Sequence, residues 1–181
     1  MKTKLTIFVT VLTVALFGVG CASTPKGPPI PNAVQWDGHW YGFIDEKITW
    51  VEAEKRCKDM GGHLAVVESK EENEFVLGYL QSVFTEKGSF GGARPLGLFG
   101  GAWIGASAEV DGEYRWSTPN GKKLSETYSN WWTGKQSGAG TSKYVHISVI
   151  HSVARANGSW ACAFTNSDEQ FGKLQFICEW E

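Results

Sequence analysis

The sequence predicts an α+β domain in which two helices come early and short strands with long loops follow. Three observations carry this. Two capping-box signatures each open a helical stripe, at Thr49-Trp50-Val51-Glu52 and Ser69-Lys70-Glu71-Glu72. Downstream, short aromatic and β-branched runs alternate with turn dipeptides. Nine tryptophans and 22 glycines suit tight turns around a ring-rich core or binding face.

The chain opens with Met1-Lys2-Thr3-Lys4 and an apolar run from Leu5 to Gly20. As a helix, that run of about sixteen residues would measure roughly 24 Å, short of a hydrocarbon core of ~30 Å. A secretion signal over residues 1–20 therefore fits better than a spanning helix. Gly18 and Gly20 before Cys21 resemble the lipobox of bacterial lipoprotein signals, in which the cysteine thiol is lipidated and becomes the new N-terminus. An ordinary secreted protein cut near Ala22 and an uncleaved anchor are the alternatives. Residues 21–35 follow as a tether: Pro25, Pro28, Pro29 and Pro31 disfavour helix and paired strand and give an extended spacer. The domain proper is expected over 36–181, and about 160 residues beyond the leader suffice for one real core.

Within the domain, His39-Trp40-Tyr41-Gly42-Phe43 predicts a first strand. The first helix is expected from Trp50 to Met60, turning Trp50, Ala53, Cys57 and Met60 or Val51 inward, and Gly61-Gly62 stops it. Leu64 to Val67 is extended. The second helix runs to about Phe84, with Phe75 or Val76, Tyr79, Leu80 and Val83 inward. Periodicity is lost from 86 to 101, where Phe90, Leu96, Leu98 and Phe99 lie among glycines. This is a flexible insertion or an apolar contact loop for a partner, and it lacks the GxxxxGK[ST] pattern of a phosphate loop. Further strands are expected at Ala102-Trp103-Ile104-Gly105, Tyr114-Arg115-Trp116, Tyr144 to Val149 with Val145, Ile147 and Val149 on one face, Ser159 to Phe164, and Phe176 to Trp180. Asn157-Gly158 predicts a two-residue hairpin turn, which would place Val153 opposite Cys162 and His151 opposite Phe164.

The formal net charge is −2, and removing Lys2 and Lys4 with the leader makes the remainder more acidic. Outside the leader there is no basic run to neutralise phosphates, so nucleic acid is disfavoured as a partner. No paired carboxylates at a predictable cleft and no Cys-His arrangement point to an enzyme. Glu52-Glu54 and Glu71-Glu72-Glu74 read as solvated helix faces. His151 and Cys162, diagonal neighbours under the two-residue turn, are too few ligands for zinc, and His63 reads as structural. Four cysteines, Cys21, Cys57, Cys162 and Cys178, leave an odd thiol if Cys21 carries lipid.

His39-Trp40-Tyr41, Thr49-Trp50 through Cys57, Gly61-Gly62-His63-Leu64-Ala65, Trp103-Ile104-Gly105, Tyr114-Arg115-Trp116, Asn130-Trp131, Gly158-Ser159-Trp160 and Phe176-Ile177-Cys178-Glu179 occur in this order along nearly the whole domain. In that order they resemble the C-type lectin-like domain family. The resemblance implies two helices flanking small antiparallel sheets, termini brought together, and a long loop region carrying ligand contacts. It also implies a Cys57–Cys178 disulfide, whose long loop is worth roughly 4 to 5 kcal/mol by loop entropy as an upper figure. Cys162 falls near the family's second disulfide, but its usual partner position near Tyr144-Val145 holds no cysteine, which makes it a buried free thiol ahead of an intermolecular bridge or ligand.

Sugar-binding members place calcium on an oxygen-rich set, since the ion takes six to eight hard oxygens. The matching positions here are Lys135-Gln136-Ser137, Ser142 or Lys143, and Trp160-Ala161-Cys162, so calcium at the family site and other cofactors are not expected. Asn157, Asn166, Asp168 and Glu169 offer oxygens for a rearranged site. For a calcium-free ligand, Trp131, Trp132 and Trp160 are candidates to stack, and Asn130, Gln136 and His146 to hydrogen-bond. Trp160 and the Asn130-Trp131 pair also match scaffold positions, which leaves Trp132 as the best exposed ring. The expectation is a non-enzymatic, lipid-anchored module outside the cytoplasm that binds a protein partner without calcium. The alternatives are a carbohydrate-binding lectin and a purely structural envelope lipoprotein. The expected partners are an envelope protein or glycan, and a bilayer through Cys21. Ala22 rather than Asp after the lipobox points to the bacterial outer membrane.

Overall fold

The computed structural model describes residues 28–86, 101–108, 112–131, 142–149, 160–164 and 172–181. Asp37 and Gly38, both with positive φ (46° and 90°), join β1 (Val34–Trp36) to β2 (His39–Ile48) as an antiparallel hairpin. Such a pair matches the strand twist, and Asp-Gly is a favoured sequence for it. β1 thus lies inside the stretch expected to be tether. The folded part reaches back further still: Ile30 packs with the cluster around Trp180, and a Cβ on Gly42 would collide with the Ile30 side chain. The Tyr79 hydroxyl donates to the Asn32 carbonyl and accepts from the Phe43 N–H, each at 3.0 Å.

The first helix, α1 (Trp50–Asp59), begins as its sequence dictates. Thr49 Oγ1 accepts the Glu52 N–H and the Glu52 carboxylate accepts the Thr49 N–H at 2.9 Å, so both halves of the capping box form. Trp50, Ala53 and Cys57 are buried, whereas Val51 is 51% exposed and belongs to the outer face. Gly61 ends the helix at φ +80°, a conformation that costs glycine little. β3 (His63–Leu64) and an extended segment lead to α2 (Lys70–Glu86), which buries Val76, Leu80 and Phe84. Phe75, Tyr79 and Val83 are only half-buried. The inward stripe is thus rotated toward Phe84, which meets Phe43 edge-on at 5.3 Å.

β4 (Gly101–Ser107), β5 (Arg115–Trp116), a 3-10 turn at Leu124–Glu126, β6 (Ser142–Ser148), β7 (Trp160–Phe164) and β8 (Leu174–Trp180) complete the described elements. The strands join into one eight-stranded sheet in the order β1-β2-β8-β4-β6-β7, with β3 on β8 and β5 on β4. The expected small antiparallel sheets are fused because β4 runs parallel to β8, pairing Ala102 with Gln175 and Trp103 with Phe176. In β6, Val145, Ile147 and the following Val149 are buried as the alternation predicts. The β6–β7 register departs from the two-residue turn: Cys162 opposes Val145 and Phe164 opposes Ser142. His151 and Asn157-Gly158 lie outside the described residues.

Two cores flank the sheet. One lies under α2 and contains Val76, Leu80, Ile104, Trp116, Val145, Ile147, Trp160 and Ile177. The other lies under α1 around Trp50, Trp103, Phe176, Trp180 and the Cys57–Cys178 disulfide, whose Cα atoms are 5.6 Å apart across 121 residues. Trp50, Trp103 and Trp180 are buried core pieces whose polar edges are satisfied. Indole N–H groups donate from Trp50 to the Ile104 carbonyl (2.8 Å), from Trp103 to Ile48 (2.9 Å) and from Trp180 to Met60 (3.0 Å). Large rings thereby bury apolar area without an unpaired donor. Among the described residues, no helix is long and apolar enough to cross a membrane.

Candidate functional site

The base of the long-loop region is built where Asn130-Trp131 meets β7. The Trp160 N–H donates to the Asn130 carbonyl at 2.7 Å, and Trp131 bridges to Trp160 in parallel fashion. The half-buried Trp131 ring lies 5.2 Å from Tyr114 and 6.0 Å from Trp160 between centroids. Trp160 is fully buried; its indole donates to Asn73 Oδ1 of α2 at 2.7 Å, and Trp116 and Tyr128 meet its ring edge-on. Trp160 is therefore a core residue and is corrected as a ligand candidate, because no face of the ring reaches solvent.

His146 is separated from this cluster by the sheet itself. Ile147 opposes Trp160 while His146 opposes Ala161 and Trp103, and neighbours along a strand point to opposite faces. Its half-exposed ring lies edge-on to Trp103 at 5.9 Å, on the α1 side. Trp160 and His146 cannot line one surface. Of the expected contact set, Asn130 and Trp131 remain at the loop base, and Trp132 and Gln136 lie outside the described residues. So do Cys21, the leader, residues 87–100, Lys135-Gln136-Ser137, Asn157, Asn166, Asp168 and Glu169. At the third donor triplet, Trp160-Ala161-Cys162 forms the first three residues of β7 and brings no side-chain oxygen. That residue chemistry does not fit a calcium ion.

A second polar centre was not legible as such in the sequence. β2 and β8 place Tyr41 opposite Glu179, and β3 places His63 opposite the same glutamate. From α2, Glu72 faces this row. Both carboxylates are buried, Glu179 at 3% and Glu72 at 8% exposure. Glu179 Oε1 contacts His39 Nδ1 at 2.5 Å, and its Oε2 accepts the Val66 N–H at 2.9 Å. The Tyr41 hydroxyl donates to Glu72 Oε1 at 2.7 Å, and Glu72 Oε2 accepts the Glu68 N–H at 2.9 Å.

Glu72 is thus no solvated helix-face residue. Its N–H does donate to Ser69 Oγ at 3.0 Å, as the second capping box requires, but its carboxylate accepts from Tyr41 and from the N–H of Glu68, one residue before the cap. Burial pushes the Glu72 carboxyl above the usual range, against the hydrogen bonds from Tyr41 and the Glu68 N–H. Burial beside two carboxylates raises Tyr41 so far that it stays a neutral donor. The hydrogen bond to Glu179 raises His39, against its partial desolvation. His63 reads as structural: its Nδ1 lies 2.9 Å from the Leu64 carbonyl.

Comparison with known proteins places this fold. The perlucin-like protein of Mytilus galloprovincialis is 26% identical over 97% of this chain and 99% of its own length. Asialoglycoprotein receptor 2 of Rattus norvegicus is 29% identical over 59% of this chain, which spans only 31% of the receptor. One chain of the snaclec coagulation factor IX/factor X-binding protein of Echis carinatus is 34% identical over 59% of this chain and 74% of its own. These relatives are eukaryotic and lend no support to a bacterial carrier. Among solved structures, human lithostathine superposes with a TM-score of 0.60 at 20% identity, covering 84% of this chain and 90% of its own. C-type lectin CEL-I from Cucumaria echinata gives 0.61 at 18% identity, covering 83% and 96%. The lectin C-type domain model matches residues 46–180, and the chain belongs to that family.

Proposed function

We propose that this C-type lectin domain binds a protein partner without calcium and is held at a membrane by lipid on Cys21. The observation that carries the reading is the Trp160-Ala161-Cys162 segment. Where sugar-binding relatives resembling this chain supply oxygens, β7 supplies a core indole, a methyl and a thiol, and the Lys135 ammonium at the first triplet would repel a cation. With Trp160 spent on the core and His146 on the other face, two of the candidate sugar contacts are removed from the loop base. The half-buried Trp131 ring at that base suits a protein partner, since aromatic side chains are enriched in such contacts. The snaclec relative, whose name records binding of two coagulation factors, is consistent with this use of the fold. Anchoring rests on the Lys2 to Cys21 leader and its lipobox-like junction.

The test has two arms. A glycan array read in calcium and in chelator should be silent in both, and chelator-sensitive glycan binding would sink the reading in favour of a carbohydrate lectin. Photo-crosslinking of the membrane-bound full chain should give a discrete protein adduct that disappears on deletion of residues 88–100. Unchanged crosslinking would remove that loop from the interface. Intact mass of the mature protein should show an acyl adduct on Cys21, and a free thiol there would refute the anchor.

A further inference from the structure

We propose that His39, Tyr41, Glu72 and Glu179 form an acid-tightened clasp that ties the start of α2 to the first residues of β2 and the last of β8. Two buried carboxylates converge on one tyrosine hydroxyl: Glu72 at 2.7 Å and Glu179 at 3.5 Å. Each also accepts a main-chain N–H from the segment between β3 and α2, Glu179 from Val66 and Glu72 from Glu68. The cluster therefore sets where that segment and the first turn of α2 lie against the sheet. His39, the first residue of β2, closes it from the hairpin side, so the strap ending in β1 is held by the same groups.

The charge around the cluster is lopsided. From β8, Glu179 and the terminal Glu181 face His39, and from α2 Glu72 does. From β3, His63 Nδ1 stands 4.0 Å from Glu179 Oε2. From β2 come His39 and the neutral Tyr41, with Asp37 in the turn before them. The connecting segment adds Glu68, whose own carboxylate is already paired with Lys122 at 3.0 Å. Among the described residues, the hydrogen-bonding partners of Glu72 and Glu179 include no lysine or arginine. With both carboxylates ionised and His39 neutral, two negative charges share one low-dielectric pocket, which is costly.

Protonation of His39 supplies a cation to Glu179, and protonation of Glu72 removes one of the two like charges. Both groups take up protons more readily folded than unfolded. Linkage then gives the sign: their contribution is complete below the unfolded values, and is lost as pH rises through the raised folded ones. This is opposite to the common case of paired surface carboxylates, which lose stability in acid.

The test is thermal unfolding of the full domain from pH 8 to pH 5.5 in chelator-containing buffer. The midpoint should rise on acidification, the sign that two raised folded-state pKa values require. His39→Gln and Glu72→Gln should each flatten the rise. A flat or falling midpoint in the unaltered domain, or an undiminished rise in both variants, overturns the clasp. Should either variant fail to fold, the His39 imidazole signal of the unaltered protein decides by NMR titration. A midpoint above that of ordinary histidine, moving together with the Val66 and Glu68 amides, supports the proposal. A midpoint at or below it refutes it.

Discussion

Trp160 and Asn73 are joined across the α2 core by one hydrogen bond, indole Nε1 to amide Oδ1 at 2.7 Å, and both residues are buried. The bond fixes the base of the long-loop region against the second helix, because the Trp160 main-chain N–H also donates to the Asn130 carbonyl and Trp160 bridges Trp131. Asn73→Ala leaves a buried N–H with no acceptor and should cost about 1–3 kcal/mol. Chemical denaturation measures this. Trp160→Phe combined with Asn73→Leu removes both polar partners, and should cost less than the sum of the single changes.

The Cys57–Cys178 disulfide joins α1 to β8 inside the second core, with both cysteines fully buried. Cys57→Ala/Cys178→Ala should lower stability by about 2–5 kcal/mol, read as a shift in denaturant midpoint. Reduction of the native domain should reach the same stability, since the same constraint on the unfolded chain is removed.

At the start of α1, Thr49→Ala removes the cap acceptor and should cost about 1 kcal/mol. The Thr49 N–H and hydroxyl hold the Glu52 carboxyl below its ordinary value. A lowered folded pKa gives stability that is present above the unfolded value and lost as pH falls through the folded one. Glu52→Gln should therefore destabilise more at pH 7 than at pH 3, measured by thermal unfolding at both.

The strap ahead of β1 is part of the domain. Ile30 packs over Gly42 and Trp180, so Ile30→Ala should cost about 1–2 kcal/mol from lost apolar burial. Gly42→Val forces the strap outward and should cost about 1–3 kcal/mol by overpacking. A chain shortened to begin at residue 36 should be measurably less stable than one beginning at 28 in the same denaturant series.

What the sequence revealed was local. The Thr49–Glu52 box, the Gly61 stop and the Val145/Ile147/Val149 alternation depend on neighbours a few residues apart, and each appears in the structure. The Asp37-Gly38 hairpin was equally local, yet the prolines before it drew the strap into the tether. Pairing over distance was not legible. The Asn157-Gly158 dipeptide suggested one register for β7, whereas the α2 core selects another by placing Val145 and Ile147 on the same face as Trp160. Glu72 shows the same limit: a helix-face pattern marks it as solvated, and only the arrival of β2 and β8 makes it a buried partner of Tyr41. At the candidate site, residue types alone did not tell that Trp160 and His146 belong to opposite faces.

The proposed calcium-free recognition meets its sharpest test in the tryptophan indole signals, followed by NMR during a calcium titration. Extracellular calcium modules bind with dissociation constants of about 10⁻⁴ to 10⁻³ M, so the titration should run to about ten times the upper figure. The Trp131 and Trp160 indole resonances should stay in place throughout. Saturable, chelator-reversible shifts of those two signals would show an ion seated at the loop base and refute calcium-free recognition.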